Sequence, residues 1–290
     1  RNVGIMIISG ANAYPATLNV PTAGQSATAS DIAQIASDLA DRTTSLLTHT
    51  VAAQQNIKYE CLDGDNIVMS PIFGMVCFDT MPRYMQTSVD TVLTAADIEG
   101  GIAPIGSSFY YIYMYWQAGP KFELSLAEPD VYKLYKSTGT DRVLVGIAQT
   151  EATAKFSFVR ALGREIRYLV PPMIRLLGPA NPTPQTISLA ARLPSVAEVC
   201  CLGVNGITTA SITAPFVPYV SVGPAEFDPS TFRKLYLPTG ALYGRTTKDI
   251  EVPIGHRPLI LPDPGNDRKI ALLTDSATSE MELYLNGYKF

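Results

Sequence analysis

Few side chains of this sequence have the types and the spacing that catalysis requires. His49 and His256 are its two histidines, and neither lies in an H-E-x-x-H or G-x-S-x-G motif. His49 lies at the end of a predicted helix, where a cation suits the helix dipole, and His256 occupies a Pro- and Gly-containing turn. Glu123 and Glu128 are close in sequence, but glycoside hydrolysis depends on a carboxyl separation that this spacing does not define. We therefore predict no catalytic residue and expect that the protein is not an enzyme.

Two short segments cluster the oxygen ligands that a hard cation prefers. They are residues 62–66 (LDGDN) and 262–268 (PDPGNDR), and neither continues into the later glutamate of an EF-hand loop. Since tight turns also require Asp, Gly and Asn, we interpret both segments as turns and keep a cation site as the alternative. The glycine-rich segments lack the lysine and the strand-to-helix setting of a phosphate-binding loop. The sequence predicts no metal site and no cofactor.

The four cysteines, Cys61, Cys77, Cys200 and Cys201, do not have the spacing of a zinc site. The adjacent pair lies in a predicted strand, which would direct the two side chains to opposite faces. We expect reduced thiols, mostly buried, that pack as small apolar residues.

Composition limits the classes of partner. Apolar residues make up 47% of the chain and charged residues 17%, with a formal net charge of −4. Because an ordinary soluble domain carries about a quarter charged residues, part of this surface is expected to be covered by partners. The basic residues are scattered and form no stripe that could displace counterions, so we predict no nucleic-acid partner. No apolar run approaches the ~20 residues that a membrane-spanning helix needs.

The N-terminal part of the chain predicts an extended arm followed by one short helix of about 18 residues. Ser30 can cap this helix, and apolar residues recur on one stripe at Ile32, Ile35, Leu39 and Leu46. A helix of this length is marginal alone in water, so the stripe must be buried against something. We predict that the four stripe residues line an interface between subunits, and the alternative is packing against the chain's own β structure.

After residue 55, short strand-like runs alternate with Gly, Pro, Asp and Ser turns, which favours antiparallel β structure. In the run FYYIYMYW, Tyr111, Tyr113 and Tyr115 share one face. A strand that is covered on both faces explains this aromatic row, in the core or at a subunit interface. A glycan-stacking platform made by these tyrosines, or by Tyr243, is the alternative.

The predicted fold class is mainly β, with an N-terminal arm and helix followed by two antiparallel β domains. The predicted boundaries are 1–55 for the arm and helix, 56–170 for the first β domain, and 185–290 for a jelly-roll-like C-terminal β-sandwich. Residues 171–184 contain five prolines, and we predict a linker there because the centre of a sheet would not tolerate so many.

The N-terminal pattern resembles that of bacteriophage tail fibre and related virion proteins. In those proteins a proline-rich arm precedes a short helix that ends in a DRT element, and residues 14–47 (YPATLNVPTAGQSATASDIAQIASDLADRTTSLL) follow that pattern. The element here is Asp41, Arg42 and Thr43. Residues 107–169 are similar to the aromatic strand and the short Phe-containing strands of the same proteins, and LYLNGY at 283–288 is similar to their last strand.

This resemblance implies a structural virion component of a tailed phage or phage-like particle: a tail fibre, collar or baseplate-associated subunit. It implies a homotrimer that contacts other tail or collar proteins, is made in the host bacterial cytoplasm and is located in the virion tail. Contact with a host-surface glycan is a further implied role. The alternative function is a carbohydrate-binding adhesin that uses the aromatic strand or the loops of the sandwich.

Overall fold

The described part of the chain is mainly β structure, arranged in four sheets whose strand pairs are all antiparallel. This confirms the predicted mainly β, antiparallel fold class, while nearly all of the predicted arm and helix lies outside the described residues. The computed structural model describes residues 56–78, 81–130, 134–177, 185–208, 219–225, 234–236, 248–254, 268–274 and 279–290, together with residues 34, 37, 54 and 230.

The described residues form nineteen strands and two short 3₁₀ turns, the latter at Ala95–Asp97 and Glu99–Gly101. The strands are β1 (Lys58–Cys61), β2 (Ile67–Met69), β3 (Phe73–Phe78), β4 (Met81–Gln86), β5 (Thr91–Leu93), β6 (Phe109–Trp116), β7 (Pro120–Ser125), β8 (Tyr135–Lys136), β9 (Gly139–Gln149), β10 (Val159–Leu162), β11 (Glu165–Tyr168), β12 (Met173–Leu177), β13 (Gln185–Ser188), β14 (Val199–Thr208), β15 (Tyr219–Pro224), β16 (Lys234–Tyr236), β17 (Lys248–Pro253), β18 (Lys269–Thr274) and β19 (Ser279–Lys289).

The largest layer is a nine-stranded sheet. Its strand order is β17–β14–β19–β11–β10–β1–β2–β5, and β12 also pairs with β19. Buried and more exposed residues alternate along β1, β10 and β11, so one face of these strands lies in the core and the other faces solvent. Two four-stranded sheets, β7–β6–β9–β8 and β13–β18–β15–β16, share one hydrophobic core with this layer. The result is a β-sandwich-like arrangement.

The predicted linker does not separate the described strands into two units. Residues 173–177 inside it form β12, and the nine-stranded sheet contains strands from both sides of the segment. Tyr168 and Tyr288, one from each predicted domain, have ring centroids 6.3 Å apart within the same core. The structure therefore differs from the predicted division into domains at 171–184, because strand β19 returns to pair with β11.

The prolines in this segment are compatible with a strand because of where they lie. Pro171 and Pro172 precede β12, which pairs with β19 alone among the described strands. A missing backbone N–H costs no ladder hydrogen bond at the beginning of an edge strand.

The LYLNGY motif forms the interior part of the nine-stranded sheet. Its strand β19 pairs with β14 on one side and with β11 and β12 on the other. A bulge at Asn286 shifts the register with β14, between the pairs Leu202↔Leu285 and Cys201↔Gly287. A Cβ atom at Gly287 would overlap the carbonyl oxygen of Ile166, so glycine permits the close approach of β11.

Tyr59 of β1 makes a buried contact between the two layers in the first half of the chain. Its side chain is 2% exposed, and its hydroxyl donates to the carbonyl of Ile147 at 2.7 Å and accepts from the amide of Ile147 at 2.8 Å. A Cβ atom at Gly146 would lie 2.5 Å from Cε1 of Tyr59. The ring therefore fits against β9 only because residue 146 has no side chain.

We expect the Tyr59→Phe variant to lose about 1–3 kcal/mol of unfolding free energy, since both polar groups of Ile147 would be left buried without this partner. Urea unfolding followed by circular dichroism measures the loss. Tyr84→Phe, at an exposed tyrosine, is the matched control and should change stability little. Equal effects of the two substitutions would contradict the assigned role of Tyr59.

We expect Gly146→Ala to destabilise the fold by about 1–3 kcal/mol, because the added methyl group must displace the Tyr59 ring in a packed core. Gly139→Ala in the same strand is the control: its Cβ would meet only the flexible carboxylate of Asp141. Thermal unfolding of both variants gives the comparison, and a Gly146→Ala midpoint at or above that of Gly139→Ala would overturn this explanation.

Candidate assembly and binding surfaces

The predicted helical interface falls outside the described residues. The same is true of several other predicted residues: Ile32, Ile35, Leu39, Leu46, Asp41, Arg42, Thr43, Tyr243, His49 and His256. Gln34 and Ser37, which lie between the stripe positions, are described, and both are helical and exposed. The assignment of the stripe to a subunit interface therefore stays a prediction.

The aromatic strand β6 is buried on both faces. Residues 110–114 are each at most 3% exposed, and Tyr111 and Tyr113, with ring centroids 6.5 Å apart, share one face as predicted. The Tyr113 hydroxyl donates to the carbonyl of Ala127 at 2.8 Å. The structure therefore contradicts a glycan platform made by Tyr111 and Tyr113, because the rings are enclosed by other parts of the chain. It supports the core alternative for both residues.

Tyr115, the third member of the row, is only partly buried. The guanidinium carbon of Arg142 lies 4.1 Å from the centroid of its ring. At this distance a cation–π contact stabilises the pair, and it occupies one face of the ring.

A cluster of charged groups covers the tyrosine face of β6. Lys136, which is 6% exposed, donates to Glu99 Oε1 at 2.6 Å and to Glu123 Oε1 at 3.0 Å. Its ammonium lies 5.7 Å from the centroid of the Tyr113 ring. The Nε atom of Arg142 is 3.2 Å from Glu123 Oε1, and Arg142 also pairs with Asp141. These contacts tie β7, β8 and β9 to the 3₁₀ turn that carries Glu99.

The pKa values in this cluster favour the charged forms. Burial lowers the pKa of Lys136, but its hydrogen bonds to Glu99 and Glu123 outweigh that effect, so the net pKa is raised. Hydrogen bonds from Lys136 and then Ser125 lower the pKa of Glu99. Lys136 thus remains protonated at neutral pH, which suits a structural clamp and does not suit a nucleophile.

The junction with the N-terminal segment is fastened to the β structure by Gln54, which is helical and 4% exposed. Its Nε2 donates to the carbonyl of Leu144 at 2.5 Å, and its Oε1 accepts from Arg164 at 2.9 Å. Gly163 also donates through its backbone to the carbonyl of Ile57 at 2.7 Å. Sequence reasoning missed Gln54, because glutamine is usually a surface residue and its partners are distant in the chain.

The hairpin of β3 and β4 presents an apolar outer face. Val76, Phe78 and Met85 are buried on its inner face. On the opposite face Met75 pairs with Tyr84, and Phe73 and Tyr84 are 56% and 60% exposed. We call Phe73, Met75 and Tyr84 the hairpin face. Phe73 and Tyr84 are exposed and Met75 is half-buried, and aromatic and methionine side chains are enriched where proteins contact partners.

The turn at residues 62–66 has an internal explanation. Asp63 Oδ1 accepts from the amides of Asp65 and Asn66, and its Oδ2 accepts from Asn66 Nδ2 at 2.7 Å. Hydrogen bonds from Asn66 and Asp65 lower the pKa of Asp63. These contacts form the local turn that the sequence predicts. No group of three or more potential metal ligands occurs within the residues that the structure describes.

Three cysteines are buried free thiols, as predicted: Cys61, Cys200 and Cys201. Cys200 and Cys201 are each 0% exposed, so both faces of β14 are covered at this point. Burial raises the pKa of Cys200 to about 12, and burial also raises that of Cys201. These thiols therefore stay protonated and poorly reactive at neutral pH. The side chain of Cys77 lies outside the described residues.

A cleft of about 410 Å³ lies beside the C-terminal ends of β9 and β11. Glu151 and Arg192 contribute charges to its lining, and Phe158 and Val170 contribute apolar surface. Sequence reasoning did not identify it, because its walls come from four separate segments between residues 107 and 192.

Comparisons with known proteins do not assign the chain to a family. Neither a model of a known protein family nor a curated protein matches it. Within the described ranges, no helix has the length and apolar character needed to cross a membrane.

The cluster around Glu99 predicts a specific pH dependence. The folded-state pKa of Glu99 lies below its ordinary value of 4.5, so its stabilisation is complete above that value and is lost as the pH falls through the folded pKa. We expect the Glu99→Gln variant to lose less unfolding free energy than the wild type between pH 6 and pH 3. The difference should be below about 1 kcal/mol, since the Glu99 side chain is 50% exposed.

Urea unfolding at several pH values between 6 and 3 measures this difference. Asp90→Asn, at an exposed carboxylate in the turn before β5, is the control and should keep the wild-type dependence. Parallel stability profiles for Glu99→Gln and the wild type would show that Glu99 does not contribute.

Proposed function

We propose that this protein is a structural virion component of a tailed phage or phage-like particle, acting as a tail fibre, collar or baseplate-associated subunit. Its action is oligomeric assembly, with the arm and helix of residues 1–55 packing against neighbouring subunits. The sequence support is the resemblance of residues 14–47 to the N-terminal module of tail fibre proteins. The mainly β architecture of the described residues is compatible with this role.

The observation that carries the proposal is the attachment of Gln54 to the β structure. A segment that binds neighbouring subunits can orient the rest of its own subunit only if contacts fix the junction between the two. Gln54 is buried and bonded to Leu144 of β9 and to Arg164 of the β10–β11 turn. These two contacts tie the end of the N-terminal segment to both layers of the β structure.

Two further features support an assembly role. The charged residues near β6 are used in internal pairs, and the hairpin face offers apolar contact area for a partner. The alternative, a glycan-binding adhesin built on the aromatic row, loses support because Tyr111 and Tyr113 are enclosed in the core. Its remaining candidates are Tyr115 and Tyr243.

The proposed assembly is a homotrimer in the virion tail, with Ile32, Ile35, Leu39 and Leu46 at the subunit interface. Other tail or collar proteins are the proposed further partners. The oligomeric order rests on the family resemblance.

We expect Leu39→Asp to convert the oligomer to a monomer that keeps its β-sheet circular dichroism spectrum, because a buried unpaired carboxylate is costly at an apolar interface. Size-exclusion chromatography with light scattering measures the mass, which for the wild type should be that of a trimer of the 31.3 kDa chain. The matched control is Ser37→Asp, since Ser37 is helical and exposed, and it should remain trimeric.

A wild-type chain that is monomeric at 100 µM would overturn the proposed self-assembly. Loss of the β spectrum in Leu39→Asp would assign the stripe to packing within the chain. A change of mass in Ser37→Asp equal to that in Leu39→Asp would show that the effect is not specific to the stripe.

A further inference from the structure

Strand β12 lies at an edge of the nine-stranded sheet without the features that usually protect such an edge. Among the described residues it pairs with β19 on one side, and no strand pairs with its other side, which we call the free edge of β12. An edge of this kind presents unpaired backbone N–H and C=O groups, which are a template for a further strand. The sequence of β12, MIRLL, contains one charged residue, Arg175, and no proline.

The two terminal strands of the same sheet are protected, by contrast. Strand β17 (KDIEVP) carries three charged residues and ends in Pro253, which cannot donate a ladder hydrogen bond. Strand β5 has only three residues. Charges, proline and short length are the means by which proteins keep an edge from pairing with another chain. Among the edges of this sheet that the structure describes, the free edge of β12 is therefore the one most open to an added strand.

The residues that lead into β12 add exposed apolar surface to this edge. Leu169, Val170 and Met173 are 42%, 69% and 47% exposed. Ile174, in contrast, packs against the hydrophobic core. Strand β12 thus has an outward and an inward side, and a strand added beside it would continue both. Apolar side chains that are exposed together indicate contact with a partner.

One segment of the chain has a composition that fits this edge. In the parts of the chain outside the described residues, residues 3–8 (VGIMII) are the longest run without a polar residue or a proline. Four of the six residues are Val or Ile, which favour strands, and none is charged. An exposed run of this kind promotes aggregation, so it has to be buried against a partner surface. An apolar strand edge accepts such a run through backbone hydrogen bonds.

The point at which the N-terminal segment joins the fold is close to β12. Arg164 in the β10–β11 turn bonds to Gln54, and this turn lies beside the last residues of β19. Strand β12 pairs with the same side of β19 at residues 281–284, about 20 Å away along the strand. About 45 residues lie between Ile8 and Gln54, and a chain of that length spans up to about 150 Å, so the segment can reach the β12 strand of a neighbouring copy.

We propose that residues 3–8 of a neighbouring copy add a strand to the free edge of β12. The backbone of the segment pairs with that of β12, one set of its alternate side chains extends the core beside Ile174, and the other set covers Met173. The nine-stranded sheet thereby gains a tenth strand that belongs to another subunit. The inference rests on the proposed assembly role, and it adds the surface that receives the N-terminal arm.

Cross-linking of the full 290-residue chain tests this pairing. The double variant Ile5→Cys/Met173→Cys is treated with a short bis-maleimide under native conditions, in which buried thiols such as the three described cysteines react poorly. We expect a product with the mass of two or more chains on a denaturing gel, in which peptide mass spectrometry finds residue 5 linked to residue 173. The single variants correct for products that do not join the two sites.

The matched control for cross-linking is Ile5→Cys/Val92→Cys. Val92 is 51% exposed, close to the 47% of Met173, and it lies in β5, another edge strand of the same sheet. Because the segment is expected at β12 alone, this control should give at least about tenfold less product.

Amide hydrogen exchange provides an independent measurement. The double variant Ile5→Pro/Ile7→Pro removes two backbone donors and the strand conformation from the segment. Without the added strand, exchange within residues 173–177 should be about tenfold faster than in the wild type. Ala11→Pro, in the same arm but outside the segment, is the control and should leave exchange unchanged. Circular dichroism verifies that each variant is folded.

Two results would each overturn the proposal: a cross-linked product no more abundant than in the Val92 control, or exchange in β12 that is the same in Ile5→Pro/Ile7→Pro as in the wild type. A cross-link confined to single chains would place the segment on its own copy, which contradicts the contact between copies. The assembly proposal fails separately, through a monomeric mass of the wild type, and a trimeric mass would leave it standing after any of these results.

Discussion

The hydrogen bonds between the Tyr59 hydroxyl and the backbone of Ile147 are the contacts on which the two layers in the first half of the chain depend. Strand β9 pairs with β6 along one edge, but β8 covers only the beginning of the other edge. Buried backbone groups must be paired, so the uncovered part of β9 needs partners from outside its sheet. Gln54, Tyr59 and the Ser157 amide supply them at Leu144, Ile147 and Gln149, respectively.

The partners that β9 has outside its own sheet explain the environment of the aromatic strand β6. With β9 held against β1, β6 lies in the interior of its sheet, and its tyrosines are enclosed on both faces. The buried tyrosine hydroxyls still require hydrogen-bond partners, and the Tyr113 hydroxyl donates to the carbonyl of Ala127. The charged cluster of Lys136, Glu99 and Glu123 covers that face, and it is retained because each charge has a partner. The aromatic row is therefore a component of the fold, and binding chemistry has to be sought elsewhere on the molecule.

The contacts that complete β9 also connect the fold to the proposed assembly function. Gln54 belongs both to the junction with the N-terminal segment and to the set of groups that complete β9, so a buried side chain joins the two. The cleft lies at the other end of the same strand, where Gln149 is held by Tyr168 and Ser157.

The sequence alone determined the features that depend on neighbouring residues. Alternating and aromatic runs predicted antiparallel β structure, the Asp-Gly-Asp-Asn segment predicted the turn held by Asp63, and the adjacent Cys200 and Cys201 were correctly placed on opposite, covered faces. Local periodicity and turn chemistry encode these features directly.

Only the tertiary structure decided which strands pair and which polar residues are buried. Proline content predicted a domain boundary at 171–184, but the pairing of β11 with β19 joins residues more than a hundred positions apart across it. Gln54 is likewise separated from Leu144 by 90 positions and from Arg164 by 110. Such contacts depend on the arrangement of the whole chain in space, so no local pattern of residue types contains them.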